Sequence, residues 1–468
     1  MKILTRLMTP SLIALACLAG GARAQSQLPD LGTEAPAKPE RPARNYLLPA
    51  AEIATFDFLL NRYNRWFRHD PEYSVDAFTI NRNLRSRWVV DNDPFKVNQF
   101  LHPYQGSMYH GFARSTGFGF WESMGYTFLG SAGWEIAGEN TRPSRNDQIA
   151  SGIAGSFLGE VLYRMSNLVL ERGERGSWLR EASAAAISPA TGFNRLAFGE
   201  RFKALLDSNH PAYYSRLQLG SAATTQNVAG NSTEGKKSQV LADFSMDYGL
   251  PGKPGHRYLR PFDYFSFQAV GSSANGIESL NTRGLLLGRP YEIGEHYRGI
   301  WGLYGGYDYI APQLFRISST ALSLGSTAEY RISDALALQG TALAGVGYAG
   351  VGTLHGTDNR DYHYGVAPQA LLALRLIYKD RVSLDLNGRE YFVSKVAGAG
   401  NGGHDNIARA DISLTFRIHK QHAVAIKYQW SRRDATFPSF NDLTQARGTL
   451  GIYYTLLGQD RFGTFDWH

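Results

Sequence analysis

The chain has 468 residues, a formal net charge of +7 at pH 7, and 26 Tyr, 25 Phe, 8 Trp and 50 Gly against a single Cys. Its length suits two or three domains. One cysteine excludes an intrachain disulfide framework, and the absence of any Lys/Arg cluster excludes an electrostatic nucleic-acid partner.

The N-terminal stretch "MKILTRLMTPSLIALACLAGGARAQSQ" opens with the basic residues Lys2 and Arg6. An apolar run from Leu12 to Ala19 follows, and Ala22-Arg23-Ala24 fits the A-x-A cleavage pattern. Residues 1–24 are therefore read as a secretory signal, cut before Gln25. The apolar run is too short to span a membrane. Cys17 lies inside it, and Ala14 and Leu15 make a poor lipobox. A cut chain has no cysteine, so any metal site must be built from His and carboxylates. Its charge falls to about +4 once Lys2, Arg6 and Arg23 are removed. Residues 25–45 are proline-rich and polar, and read as an extended linker.

From 46 to 211 the pattern is helical, with glycine-rich apolar segments. "GFWESMGYTFLGSAGWEIAG" (Gly119–Gly138) and "DQIASGIAGSFLGEVLYRMSNLVLE" (Asp147–Glu171) are the clearest. "PSRND" is a helix start, with Pro143 and Ser144 near the cap and Asp147 in the first turn. Both segments approach bilayer length. Both carry charges, Glu122 and Glu135 in one and Glu160 and Arg164 in the other, which are costly in lipid. The expectation is helices buried against protein.

In the second helix Ser156, Glu160, Tyr163, Arg164 and Asn167 share one face, opposite Ile153, Phe157, Val161 and Leu168. Glu160 and Arg164 are four apart and can pair. Such a stripe predicts a polar network with His102, Tyr104, Glu122, Glu135, Asn146 and Asp147. Its role is either structural or that of an acid/base or ligand-binding cluster. His102 and His110 lie near carboxylates but in no metal-ligand spacing, so neither metal nor cofactor is expected. "HPYQG" reads as a turn, with Pro103 fixing φ and Gly106 opening the next helix.

After Pro211 alternating runs continue to the C-terminus. About twelve strands are predicted between 213 and 457, making 212–468 a barrel. In "IARADISLTFRI" (Ile407–Ile418) Ile412, Leu414 and Phe416 alternate with Arg409, Asp411 and Arg417. In a membrane barrel the apolar set faces lipid and the polar set lines the lumen. Tight connections ("RISD", "YKDR", "HKQH") alternate with long polar ones ("VGTLHGTDNRDYH", "SKVAGAGNGGHDNIA", "SRRDATFPSFND"), which is the outer-membrane pattern. Two features depart from it. The chain ends "FDWH" rather than in a terminal aromatic, and the strand near 363–378 places Leu371 and Ile377 on its nominally polar face.

The pieces "DNDPFKVNQFLHPYQGSMY", "FGFWES", "WEIAGE", "PSRND" and "GEVLYRMS", in this order over roughly residues 88–168, resemble the domain of unknown function family 3943 of Gram-negative bacteria. That resemblance implies an envelope location and supplies no activity, ligand or catalytic residue. The reading is an α+β chain: an N-terminal helical domain followed by a roughly 12-stranded antiparallel outer-membrane β-barrel. Function is expected to be that of a non-enzymatic pore or envelope scaffold, the helices forming a plug or a periplasmic-side docking domain. The alternative is a lipid-modifying or hydrolytic envelope enzyme with its site around His102, Glu122 and Glu160. No His-x-Ser-Asn-Gly motif or G-x-S-x-G elbow is present to support catalysis on the barrel. Expected partners are membrane lipids, lipopolysaccharide and the barrel assembly machinery, in the outer membrane of a Gram-negative bacterium.

Overall fold

A computed structural model describes residues 44–172, 177–202, 208, 211–230, 236–353, 360–395, 397–398, 403–436, 441–459 and 461–464. The signal, nearly all of the linker and the terminal "FDWH" lie outside the described residues.

Twelve strands form the C-terminal part: β1 Tyr213–Val228, β2 Ser238–Tyr248, β3 Phe265–Ser272, β4 Gly276–Ile293, β5 Tyr297–Ile310, β6 Phe315–Ser333, β7 Leu336–Thr353, β8 Tyr362–Tyr378, β9 Val382–Ser394, β10 His404–His419, β11 His422–Thr436 and β12 Leu443–Leu457. Each pairs antiparallel with its chain neighbours, and β1 pairs with β12 (Leu217 opposite Leu456), closing a barrel without a free edge. A two-residue piece, Ala397–Gly398, adds to β8.

Both ends of the barrel chain emerge at one rim, with the tight turns 294–296, 334–335, 379–381 and 420–421. The strand ends that flank four long connections, Val228 and Ser238, Thr353 and Tyr362, Ser394 and His404, and Thr436 and Leu443, lie at the other rim. Three connections depart from this division: 273–275 and 311–314 are short and at the loop rim, and 249–264 is long and at the turn rim. Its Tyr264 approaches Thr341 Oγ1 at 3.4 Å and packs with Leu285, Tyr304 and Leu343 inside the barrel. Leu371 packs against that cluster, and Ile377 joins Tyr214 and Phe462 in another. Loop and tail residues thus give the lumen apolar patches, which is why alternation blurs on β8.

Elsewhere the pattern holds. Ile412, Leu414, Phe416, Val424, Ile426, Leu450 and Ile452 are exposed, while Asp405, Ser413, Thr415 and Lys427 are buried. Inward charges pair across the lumen. Arg216 on β1 meets Asp385 on β9 at 2.8 Å. Arg375 on β8 reaches Asp385 at 2.8 Å and Asp247 on β2 at 3.1 Å. Lys427 on β11 meets Asp243 on β2 at 2.7 Å. Asp308 on β5 holds Arg283, Arg389 and Tyr391. A cavity lined by Arg283, Asp308, Leu343 and Tyr391 measures ≈ 10 Å³, room for about one water.

The helices are α1 Leu47–Phe67, α2 Ala77–Arg85, α3 His102–Ser115, α4 Phe120–Ala137, α5 Arg145–Ile149, α6 Gly155–Arg172, α7 Trp178–Ile187 and α8 Pro189–Phe198. A π-helical turn, Val97–Leu101, runs into α3, and a second, Ala150–Ala154, joins α5 to α6. Residues 145–172 are therefore one rod of about 40 Å. Contrary to the turn expected at "HPYQG", that segment is helix. Pro103 sits in the first turn of α3, where its missing N–H is tolerated, and the chain enters it already helical. Gly106 is needed for contact rather than for a turn: a Cβ there would lie 2.1 Å from the Ser151 carbonyl oxygen. Gly155 meets the Gly106 Cα in the same way, so α3 and the α5–α6 rod touch backbone to backbone.

The bundle neither fills the lumen nor hangs below it. It lies against the barrel's outer wall. Phe95, Phe100, Phe157, Leu158, Val161, Met165 and Leu168 pack on Tyr213, Leu217, Phe244, Met246, Phe265, Phe267, Leu280, Tyr307, Tyr309, Tyr362 and Tyr364. Those barrel residues share the outward face. On β5, Tyr307 and Tyr309 are in phase with exposed Trp301, while Asp308 points inward. On β8, Tyr362 and Tyr364 are in phase with exposed Val366. Covered positions run obliquely from the turn rim of β1–β3 to the loop rim of β5–β8, as they must where an upright bundle crosses tilted strands. The plug and the periplasmic-side docking domain expected from sequence are both replaced by this lateral placement. A twelve-strand lumen is too narrow for the bundle and already occupied by its own side chains.

Candidate functional site

Two buried polar clusters lie in the bundle. The first is centred on Glu160, in the middle of α6 and fully buried. Its carboxylate accepts from Arg114 Nε at 2.6 Å, Arg164 Nε at 2.8 Å and His110 Nε2 at 3.1 Å. Arg164 then reaches the barrel side: Nη1 donates to Asp263 at 3.0 Å and Nη2 to the Pro261 carbonyl at 2.7 Å. Asp263 also accepts from the Arg260 side chain and backbone. The Arg114 guanidinium lies over the Tyr163 ring, 4.6 Å from its centroid. The expected i, i+4 pair is thus one link in a chain joining α3, α6 and the 249–264 loop. Arg114 and Asp263 had no place in the sequence-derived set. Arg114 lies one turn beyond His110 on α3, and that spacing is the signal that could have found it.

The second cluster lies near the loop rim. His102 opens α3, Glu135 is in the last turn of α4, and Asp147 is in the first turn of α5. Ser144 caps α5 by accepting from the Asp147 backbone N–H. The Ser144 backbone N–H donates to Glu135 Oε2 at 2.8 Å. Asn146 accepts from the Asp91 backbone at 3.0 Å and donates to Asp91 Oδ1 at 2.9 Å, Asp147 Oδ1 at 3.1 Å and the Tyr364 hydroxyl at 2.9 Å. One donor atom each from His102, Glu135 and Asp147 lies within 4.8 Å of the others. More acid surrounds them, including buried Glu139, which accepts from Trp134 Nε1 at 2.8 Å. Burial and the negative charges of Asp93, Asp70 and Asp91 push Glu72, in a nearby 3₁₀ turn, up to about 7.

The eight residues singled out in sequence therefore separate. Glu160 and Arg164 belong to the first cluster. His102, Glu135, Asn146 and Asp147 belong to the second. Tyr104 is buried on α3, where its carbonyl accepts from Ser107 Oγ at 2.6 Å. Glu122 belongs to neither cluster. It caps the start of α4 through the Gly119 N–H at 2.7 Å and pairs with Arg44 at 2.9 Å, exposed. Thirteen helical residues separate it from Glu135, about 20 Å.

The centres of both clusters fall inside one sequence match. Residues 87–190 match the DUF3943 family model, described as a domain of unknown function. The matched segment comprises both π turns, α3 to α7, and Glu160, Arg114, His110, Arg164, His102, Glu135, Asn146 and Asp147; Arg260, Pro261, Asp263, Tyr364 and Glu72 lie outside it. None of the curated proteins matches the chain. Among solved structures it is similar to the NanC porin, at 7% identity over 51% of this chain and 98% of that one, with a TM-score of 0.27. It is also similar to the outer membrane channel DcaP of Acinetobacter baumannii, at 8% identity over 52% and 96%, TM-score 0.25. The KdgM porin matches at 10% identity over 51% and 98%, TM-score 0.21. The likeness covers about half of this chain.

Proposed function

We propose that the protein is a non-enzymatic scaffold of the Gram-negative outer membrane: a barrel closed by its own side chains, with the DUF3943 bundle set in the bilayer beside it. The carrying observation is the set of cross-lumen ion pairs. Arg216–Asp385, Arg375–Asp247 and Lys427–Asp243 connect strands far apart around the barrel, and Gln445 on β12 donates across the loop rim to the Leu314 carbonyl at 3.1 Å. A conducting pore needs that path clear. The turn rim is then periplasmic and the loop rim external, next to lipopolysaccharide, and insertion falls to the barrel assembly machinery.

Bilayer placement of the bundle rests on its outer surface. On α1, Ala50, Ala51, Ala54, Phe58 and Leu59 are exposed, and on α4, Gly125, Leu129 and Gly133. On α8 the exposed residues are Phe193, Leu196, Ala197 and Phe198. This surface continues the barrel's apolar belt. Among the described residues no helix is long and apolar enough to cross a membrane by itself. Here each helix needs only one apolar side, because barrel or bundle covers the rest. An enzyme around His102, Glu122 and Glu160 would need these groups to converge at an open cleft. His102 and Glu160 are instead each less than 5% exposed, and Glu122, which is exposed, pairs with Arg44 and belongs to neither cluster.

Wild-type protein in planar bilayers is expected to give no channel steps above background. Sustained steps would overturn the scaffold and restore the pore. The barrel's orientation to lipid has its own test. Ile412→Arg, mid-way along β10 on the outer face, should cost about 2–4 kcal/mol, and Ile418→Arg, beside the turn, about 0–1 kcal/mol. Equal costs in unfolding titrations would contradict a membrane-spanning wall.

A further inference from the structure

The His102–Glu135–Asp147 cluster has a charge arrangement that its surroundings leave unbalanced. All three residues are at most 4% exposed. Asp91 stands immediately behind, accepting from Asn98 and Asn146. Among the described residues no Lys or Arg forms an ion pair with Asp91, Glu135 or Asp147; the one basic neighbour in the cluster is His102. Buried carboxylates are ordinarily paired or bound to a metal.

Asp147 shares a side-chain hydrogen bond with Asp91, but among the described residues none joins His102, Glu135 and Asp147 to one another. His102 Nε2 and Asp147 Oδ2 are 3.7 Å apart, too far for a hydrogen bond. Donors sharing one ion at about 2.1 Å each stand about 3.5 Å apart. Glu135 is fixed through Oε2 by the Ser144 N–H, while its buried Oε1 has no hydrogen-bond partner. His102 Nδ1 faces Ser151 Oγ at 3.4 Å, which leaves Nε2 turned toward the carboxylates. Asn146 holds Asp147 Oδ1, leaving Oδ2 toward the histidine. Each potential ligand therefore has an outer partner orienting it, the arrangement metal sites use. The π-helical turns adjoin the site on both sides, one ending at Leu101 and one beginning at Ala150. Such turns recur at functional positions in helices.

We propose that His102, Glu135 and Asp147 bind one divalent cation of the zinc or manganese class. A neutral imidazole with two carboxylates balances a 2+ charge, and that mixed N/O set suits these ions better than calcium or magnesium. Its three ligands come from α3, α4 and α5, so the ion ties three helix ends together. Through Asn146 and Tyr364 it also secures the bundle to the barrel. This goes beyond the scaffold reading and does not depend on the lumen being closed.

The test uses the full chain, purified folded in detergent, stripped with a chelator and given Zn²⁺ or Mn²⁺ alone. Metal analysis after desalting should find one equivalent of at least one of them. Glu135→Gln and Asp147→Asn, nearly isosteric, should each weaken binding at least tenfold. Chelator should lower the heating midpoint of the wild-type folded band and leave that of Asp147→Asn unmoved. Folded wild type that retains neither ion overturns the proposal, whatever the variants do. So does stoichiometric metal in the Glu135→Gln/Asp147→Asn double variant. Wild-type metal content decides by itself if the variants do not fold.

Discussion

Arg164→Met is expected to destabilise the protein by about 3–5 kcal/mol, because it leaves two buried carboxylates short of a partner. Glu160 keeps Arg114 and His110, and Asp263 keeps Arg260, yet each loses a charge-assisted bond of 2.8–3.0 Å at a buried position. Glu160→Gln should cost a similar amount by the opposite route, stranding the guanidinium groups of Arg114 and Arg164. The double variant should cost less than the two singles together, since each single already breaks the shared link. Denaturant titration and the fraction migrating as the folded, unboiled band both read this. Near-zero, additive effects would show that the chain from α3 to the 249–264 loop carries no stability.

Leu129→Arg is the second large effect. Leu129 lies halfway along α4 and is 71% exposed on the bundle's outer surface. In lipid a central arginine costs about 2.5–3.5 kcal/mol; at a water-facing site surface substitutions change stability by about 0.5 kcal/mol or less. Leu129→Cys gives the same answer without a charge, because the sequence's single cysteine, Cys17, lies in the expected signal. A membrane-impermeant maleimide should label it only after detergent is added. Labelling in intact membranes, with a small cost for Leu129→Arg, would place the bundle in water and refute its embedding.

The barrel was legible because period two survives in strands with one apolar outward face and one polar face toward the lumen. Tertiary contact blurred it on β8, where Leu371 and Ile377 meet apolar loop and tail residues. The Glu160–Arg164 pair was legible because helical geometry is local. Its continuation to Arg114 and Asp263 was not, since Asp263 lies 99 residues from Arg164. Grouping Glu122 with Glu135 failed for a related reason: composition records charge but not depth along a helix. His102, Glu135 and Asp147 were grouped in one polar network, but not as a ligand set, since three helices supply one side chain each and no ligand spacing results. Lateral docking left one trace. On the outward face near the loop rim, aliphatic residues give way to Thr282, Tyr307, Tyr309, Arg316, Ser318, Tyr362 and Tyr364. Hydroxyls and a guanidinium are poor company for acyl chains, and such a run on a barrel's outer wall signals a protein cover.

That run bears on how the two parts can exist separately. Stripped of residues 46–211, the barrel would turn Arg316 toward lipid, along with hydroxyls now bonded to the bundle, such as Tyr307 to the Gln99 carbonyl at 2.6 Å and Tyr364 to Asn146. The bundle alone would expose Phe95, Phe100 and Phe157 to water. The break near residue 212 is thus a change in secondary structure without being a line of separability. Each part is the other's solvent, and truncation at that point is expected to give two aggregating fragments instead of two modules, as size-exclusion chromatography of each in detergent would show.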